Sequence, residues 1–113
     1  MSLIDKLFNP GPEVYYDPEF RNVFEDHLNW LLNTKQSSFT SEVVDDNTAG
    51  RFAGDWRGLM LAMNKEPYMA WYHMRVNGYS STTEYPGHQT TIRLISNTEV
   101  DKLAAQFRTK KKN

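Results

Sequence analysis

A chain of 113 residues is long enough for one hydrophobic core and too short for two separate ones. Thirteen basic and fourteen acidic side chains leave a formal net charge of −1, which removes the electrostatic footprint of a general nucleic-acid binder and implies no strongly acidic or basic partner. The absence of cysteine excludes disulfides, thiolate metal sites and thiol nucleophiles, while an aromatic content of 13% exceeds what so small a core strictly requires, which leaves two readings for its Tyr and Trp, core packing or contact with a partner.

Residues 1–16 read as an extended N-terminal arm. Leu3, Ile4, Leu7 and Phe8 allow one amphipathic turn, which Asn9-Pro10-Gly11-Pro12 cannot continue. Asp5 and Pro10 interrupt this start before an apolar segment of signal-peptide type can form. No apolar run approaches the ~20 residues that span a bilayer, so no membrane contact is expected. Phe8, Tyr15 and Tyr16 equip the arm to pack either on a neighbouring molecule or back on its own domain.

Asp17-Pro18-Glu19 marks a helix start, with Asp at the N-cap, Pro in the first turn and an acid near the positive end of the dipole. Phe20, Val23, Phe24, His27, Leu28 and Leu31 then hold one face to about residue 33. His27 lies within this stripe, as a hydrogen-bonded core residue or a partner contact; no second ligand stands at metal-site spacing from it. A polar loop follows to residue 38, and residues 39–44 alternate as a short strand. The cluster Asp45-Asp46-Asn47-Thr48 lacks the spacing of a calcium loop and reads as helix capping. Phe52, Trp56, Leu59, Met60 and Met63 recur at helical spacing over residues 49–64, where Gly54-Asp55 divides the segment and Asp55 caps its second half.

Pro67 and Asn77-Gly78 bracket a helix over residues 68–77. Met69, Tyr72, His73 and Val76 share one face and Tyr68, Trp71 and Arg75 an adjacent one, so the helix is apolar around most of its circumference and is expected to be buried. A polar connector over 80–84 and a Pro86-Gly87 turn lead to a strand over 89–95. Ser96 and Glu99 form a capping box for a last helix carrying Val100, Leu103, Ala104 and Phe107. Its basic end, Arg108 and Lys110 to Lys112, suits the helix dipole without any nucleic acid.

The chemistry-bearing residues do not converge. His27, His73 and His88 lie on different predicted elements, no Gly-x-Ser-x-Gly elbow accompanies Ser80-Ser81, and the glycines are scattered singly rather than gathered into a phosphate loop. The expectation is a protein without enzymatic activity and without a cofactor.

The order strand, helical segment, helix, strand, closed by Pro86-Gly87-His88-Gln89, resembles a lysin-motif (LysM) domain. More specifically, Ala53-Gly54-Asp55-Trp56, then Tyr68-Met69-Ala70-Trp71-Tyr72, then Val76-Asn77-Gly78-Tyr79 resembles the LysM-like baseplate wedge subunits of contractile-tailed bacteriophages. The resemblance covers roughly half of the chain. It implies an α+β fold: a small LysM-like domain over residues 39–95, with a two-stranded antiparallel sheet packed by helices. The N-terminal arm (1–16), a leading helix and loop (17–38), and a C-terminal helix with a basic tail (96–113) flank it. It also implies a virion structural protein of the tail baseplate, assembled in the host cytoplasm, that joins other baseplate and tail proteins in a multi-copy assembly. The alternative implied by the broader family is a glycan-binding LysM module recognising peptidoglycan or chitin. The candidate partner-binding residues are Phe8, Tyr15, Tyr16, His27, Tyr79 and Tyr85, the last two being those a glycan would use first.

Overall fold

The computed structural model describes residues 12–34 and 36–111, which form an α+β fold of five α-helices and one two-stranded antiparallel sheet. Helix α1 (Pro18–Thr34) starts as its sequence dictates, the Asp17 carboxylate accepting the Glu19 N–H at 2.8 Å. Strand β1 (Phe39–Val43) leads into α2 (Asp46–Arg51), whose cap Asp45 accepts from the Thr48 N–H at 2.8 Å. These bonds to Thr48 hold the Asp45 carboxyl below its usual pKa. Asp55 likewise caps α3 (Trp56–Ala62), accepting from Gly58 N–H at 3.0 Å. A 3-10 turn, Pro67–Met69, feeds α4 (Ala70–Val76), so the helix expected over 68–77 is tighter in its first turn. Strand β2 (Thr91–Ile95) and α5 (Asn97–Lys111) complete the order. The Ser96 hydroxyl accepts from Glu99 N–H at 3.4 Å, whereas the Glu99 carboxylate takes the Ser38 hydroxyl at 3.1 Å instead of closing the capping box.

The strands pair in the expected sense, Ser41 opposite Arg93, and backbone bonds from Val44 to Thr90 (2.7 Å) and from Ser96 to Ser38 (2.8 Å) prolong the ladder at both ends. Strand β2 begins two residues later than position 89. The Tyr85 hydroxyl takes the Gln89 carbonyl at 2.7 Å, which removes that residue from the ladder. At the preceding turn Gly87 holds φ +86°, and a Cβ there would stand 2.6 Å from the Ala53 side chain, so only glycine lets the turn close onto the end of α2.

Two apolar clusters form, and α4 stands between them. One gathers Tyr15, Phe20, Phe24 and Leu31 with Val100 and Leu103 of α5 against Met69, Tyr72 and Val76; the other gathers Ala49, Trp56, Leu59, Met60 and Tyr85 with Ile92 and Leu94 against Ala70 and Met74. A helix apolar on both sides needs cover on both, and here the flanking helices supply one cover while the sheet and the short helices supply the other.

The expected extended arm takes a different form in its described part. Residues Glu13–Tyr16 make a 3-10 turn folded onto the same domain, with Val14 and Tyr15 buried. The Tyr15 ring meets Tyr68 and Tyr72 edge-on at 4.9 and 5.4 Å, its hydroxyl donates to Asp101, and its carbonyl accepts from the Tyr72 hydroxyl at 2.8 Å and Arg21 Nε at 3.1 Å. A ring held by this many partners gains more inside than an extended arm would leave it. Phe8 lies outside the described residues.

Asn77, just past α4, ties that helix to β2. Its amide donates to the His73 carbonyl and the Arg93 carbonyl, both at 2.7 Å, and its oxygen accepts from Arg93 N–H at 3.0 Å and Gln89 Nε2 at 3.1 Å. Donors and acceptors are all used. Asn77→Ala strips the outer edge of β2 of both partners at Arg93, and is expected to cost ~2 kcal/mol, read as a lower urea midpoint with unchanged slope.

Candidate interaction site

The surface is best understood from the side chains that bridge elements. Arg75 on α4 makes a two-pronged ion pair with Glu25 on α1, the second prong at 3.0 Å, and also donates to the Tyr79 carbonyl at 2.8 Å. The pair raises the Arg75 pKa and fixes how α1 lies across α4. Beside this junction, Arg21 places its guanidinium 4.8 Å from the Trp71 ring centroid and 5.8 Å from that of Tyr16. These three side chains form one wall of a groove of about 230 Å³, whose floor is apolar (Met60, Ala70, Met74) and whose rim carries the exposed Arg57. The groove therefore offers aromatic faces, an apolar base and two cations. A second, more open depression of about 460 Å³ between α1 and α5 is lined by His27, Trp30, Lys102 and Leu103. There Trp30 is 49% exposed, and His27 Nδ1 bonds to the Val23 carbonyl at 2.9 Å.

Of the residues named from sequence, Tyr16 and His27 sit at these two surfaces, on the groove and the depression respectively. Tyr15 and Tyr85, at 1% exposure each, do not reach the surface and are corrected to core. Tyr79 is half-buried. Its hydroxyl bonds to the Gln89 side chain, and the Tyr79 and Tyr85 rings both lean on Trp56, at 5.8 and 5.7 Å. A sugar platform needs an open ring face, and Tyr85 presents none.

Sequence reasoning missed Trp30, Arg21 and Arg57. Trp30 was detectable, because it stands three residues from His27 and seven from Val23, at the margin of the α1 stripe, where a large ring covers the core only in part. Arg21 carried no such signal, since its position over Trp71 depends on how α1 crosses α4.

His73 is the buried titratable group of this region. At 5% exposure, its Nδ1 accepts the Ile95 N–H at 3.2 Å, and burial, aided by the charge of Lys65, pushes its pKa down to about 4. It is a neutral acceptor on the sheet edge. Among the described residues no group of three or more His, Asp or Glu side chains is placed to hold a metal ion, and no helix is long and apolar enough to cross a membrane. Comparison of the chain with protein-family models, curated proteins and solved structures returned no match.

Proposed function

We propose that this chain is a structural assembly protein: a LysM-like wedge subunit of a contractile-tail baseplate that joins neighbouring baseplate and tail proteins through protein–protein contacts. The observation that supports it is the way the short motifs behind the resemblance interlock. The Trp56 indole donates to the Ala70 carbonyl at 2.9 Å and its backbone N–H to Thr82 at 3.0 Å, Gly54 N–H reaches the Tyr85 carbonyl at 2.8 Å, and Asn77 pins the closing strand. Motifs separated in the chain thus close on one tryptophan, the arrangement expected if they are parts of one LysM-like unit. The strands enclose three short helices, one more than the simple LysM pattern of two.

Assembly is preferred over glycan binding because Tyr79 and Tyr85 are engaged internally, whereas Tyr16, Arg21, Trp71 and Trp30 are at the surface grooves. The test is capture of the tagged chain from cells in which tails assemble, read by mass spectrometry and electron microscopy of what copurifies. Baseplate or tail components are the expected result, and Arg57→Glu and Trp30→Ala, both at exposed positions, are expected to weaken that capture at least tenfold while changing stability by under ~1 kcal/mol. A chain that copurifies with no tail protein and sediments with purified peptidoglycan would replace this reading with the glycan module.

A further inference from the structure

The two edges of the sheet are treated differently. Pairing of Val44 with Thr90 and Ser38 with Ser96 fixes the alternation, so Thr40 and Glu42 face β2 through their backbone while Phe39, Ser41 and Val43 direct N–H and C=O outward; on β2 the outward residues are Thr91, Arg93 and Ile95. The β2 edge is occupied by side chains: Gln89 Nε2 on the Thr91 carbonyl (3.0 Å), Asn77 on both groups of Arg93, and His73 on the Ile95 N–H (3.2 Å). The β1 edge has no counterpart among the described residues. It also lacks the usual protections, since it holds no Pro and no Lys, and its one charge, Glu42, is paired with Lys65. Val43 at its end is 83% exposed.

The geometry points to a second copy of this chain as the occupant, added antiparallel across β1 about a two-fold axis through Ser41. The reason is self-complementarity. With Ser41 opposite its own twin, Phe39 stands opposite the partner's Val43 at both ends, and Thr40 stands opposite the partner's Glu42, so apolar meets apolar and no like charges face each other. The outward N–H and C=O groups of Phe39, Ser41 and Val43 then all find partners, as in any strand addition. The pairing turns a two-stranded sheet, a marginal unit alone, into one of four strands. This inference does not rest on the baseplate reading, because it uses only the backbone of β1 and the identity of its residues.

The absence of native cysteine makes the test clean. Under mild oxidation Ser41→Cys is expected to form a symmetric disulfide at least tenfold faster than Val43→Cys, whose twin lies far along the paired strand. Sedimentation of the unmodified full chain is expected to show a concentration-dependent species of twice the 13.2 kDa monomer mass. Val43→Lys, at an exposed position, and Ser41→Pro, which removes only an outward N–H, should both return it to monomer. A chain that stays monomeric at its highest soluble concentration with equal crosslinking at both positions overturns the proposal, as does a dimer indifferent to Val43→Lys.

Discussion

Tyr72→Ala is expected to lower the free energy of unfolding by ~3–5 kcal/mol, the range for emptying a buried aromatic site. Tyr72 is fully buried in the middle of α4, and its ring meets Tyr15, Phe20, Phe24 and Trp71, with centroids 4.9 to 6.0 Å away. It is therefore the contact through which the N-terminal turn and α1 rest on the central helix. Loss of the ring leaves a cavity that these elements cannot fill without abandoning their own partners. The hydroxyl contributes separately, through its 2.8 Å bond to the Tyr15 carbonyl, so Tyr72→Phe should cost only ~1 kcal/mol. Thermal or urea unfolding of both variants measures the split, and amide exchange locates it: protection in α1 should fall before protection in β2. A Tyr72→Ala variant within ~1 kcal/mol of the parent would show that the flanking helices are held independently of α4.

Stability is expected to decline by up to ~3 kcal/mol between pH 6.5 and about 4 on account of His73 alone, at ~1.4 kcal/mol per pH unit. The sign follows from which state binds the proton. Unfolded, the imidazole titrates near its ordinary value of 6.5; folded, burial holds it down to about 4, so in the intervening window only the unfolded chain is protonated. The contribution is complete above pH 6.5, lost progressively as pH falls, and constant below the folded value. Protonation also abolishes the acceptor that His73 Nδ1 offers the Ile95 N–H. Carboxylates titrate in the same range, so the informative quantity is the difference from His73→Asn, which keeps a side-chain acceptor but no titrating group. That difference should be flat above pH 7 and shrink toward pH 4. A difference that stays constant across the window would place the imidazole in contact with water.

The local signals in the chain were enough for most of the elements. Asp17, Asp45 and Asp55 cap the helices that follow them because a short carboxylate reaches N–H groups two or three residues on, whatever the rest of the protein does. Gly78, at φ +89°, ends the aromatic helix for an equally local reason, and local composition placed the two strands, whose antiparallel pairing was expected from the resemblance. The apolar circumference of α4 also announced burial on both sides.

What it could not announce was the identity of the covers. Tyr15 and Tyr16 are adjacent and chemically identical, yet one is core and the other 45% exposed, because only Tyr15 reaches Asp101, Tyr68 and Tyr72. Tyr85 is buried for the same kind of reason, its hydroxyl finding Gln89 and its ring Trp56. The groove at Arg21 and Trp71, the sealing of β2 by Asn77 and His73, and a β1 edge left uncovered among the described residues likewise arise between residues far apart in the chain. Sequence by itself determined most helix starts and where the two strands lie to within two residues, since capping, turn chemistry and hydrophobic period act over a few residues. Only the tertiary structure decided which aromatics and which strand edge remain at the surface, because exposure is set by distances across the core that no local pattern encodes.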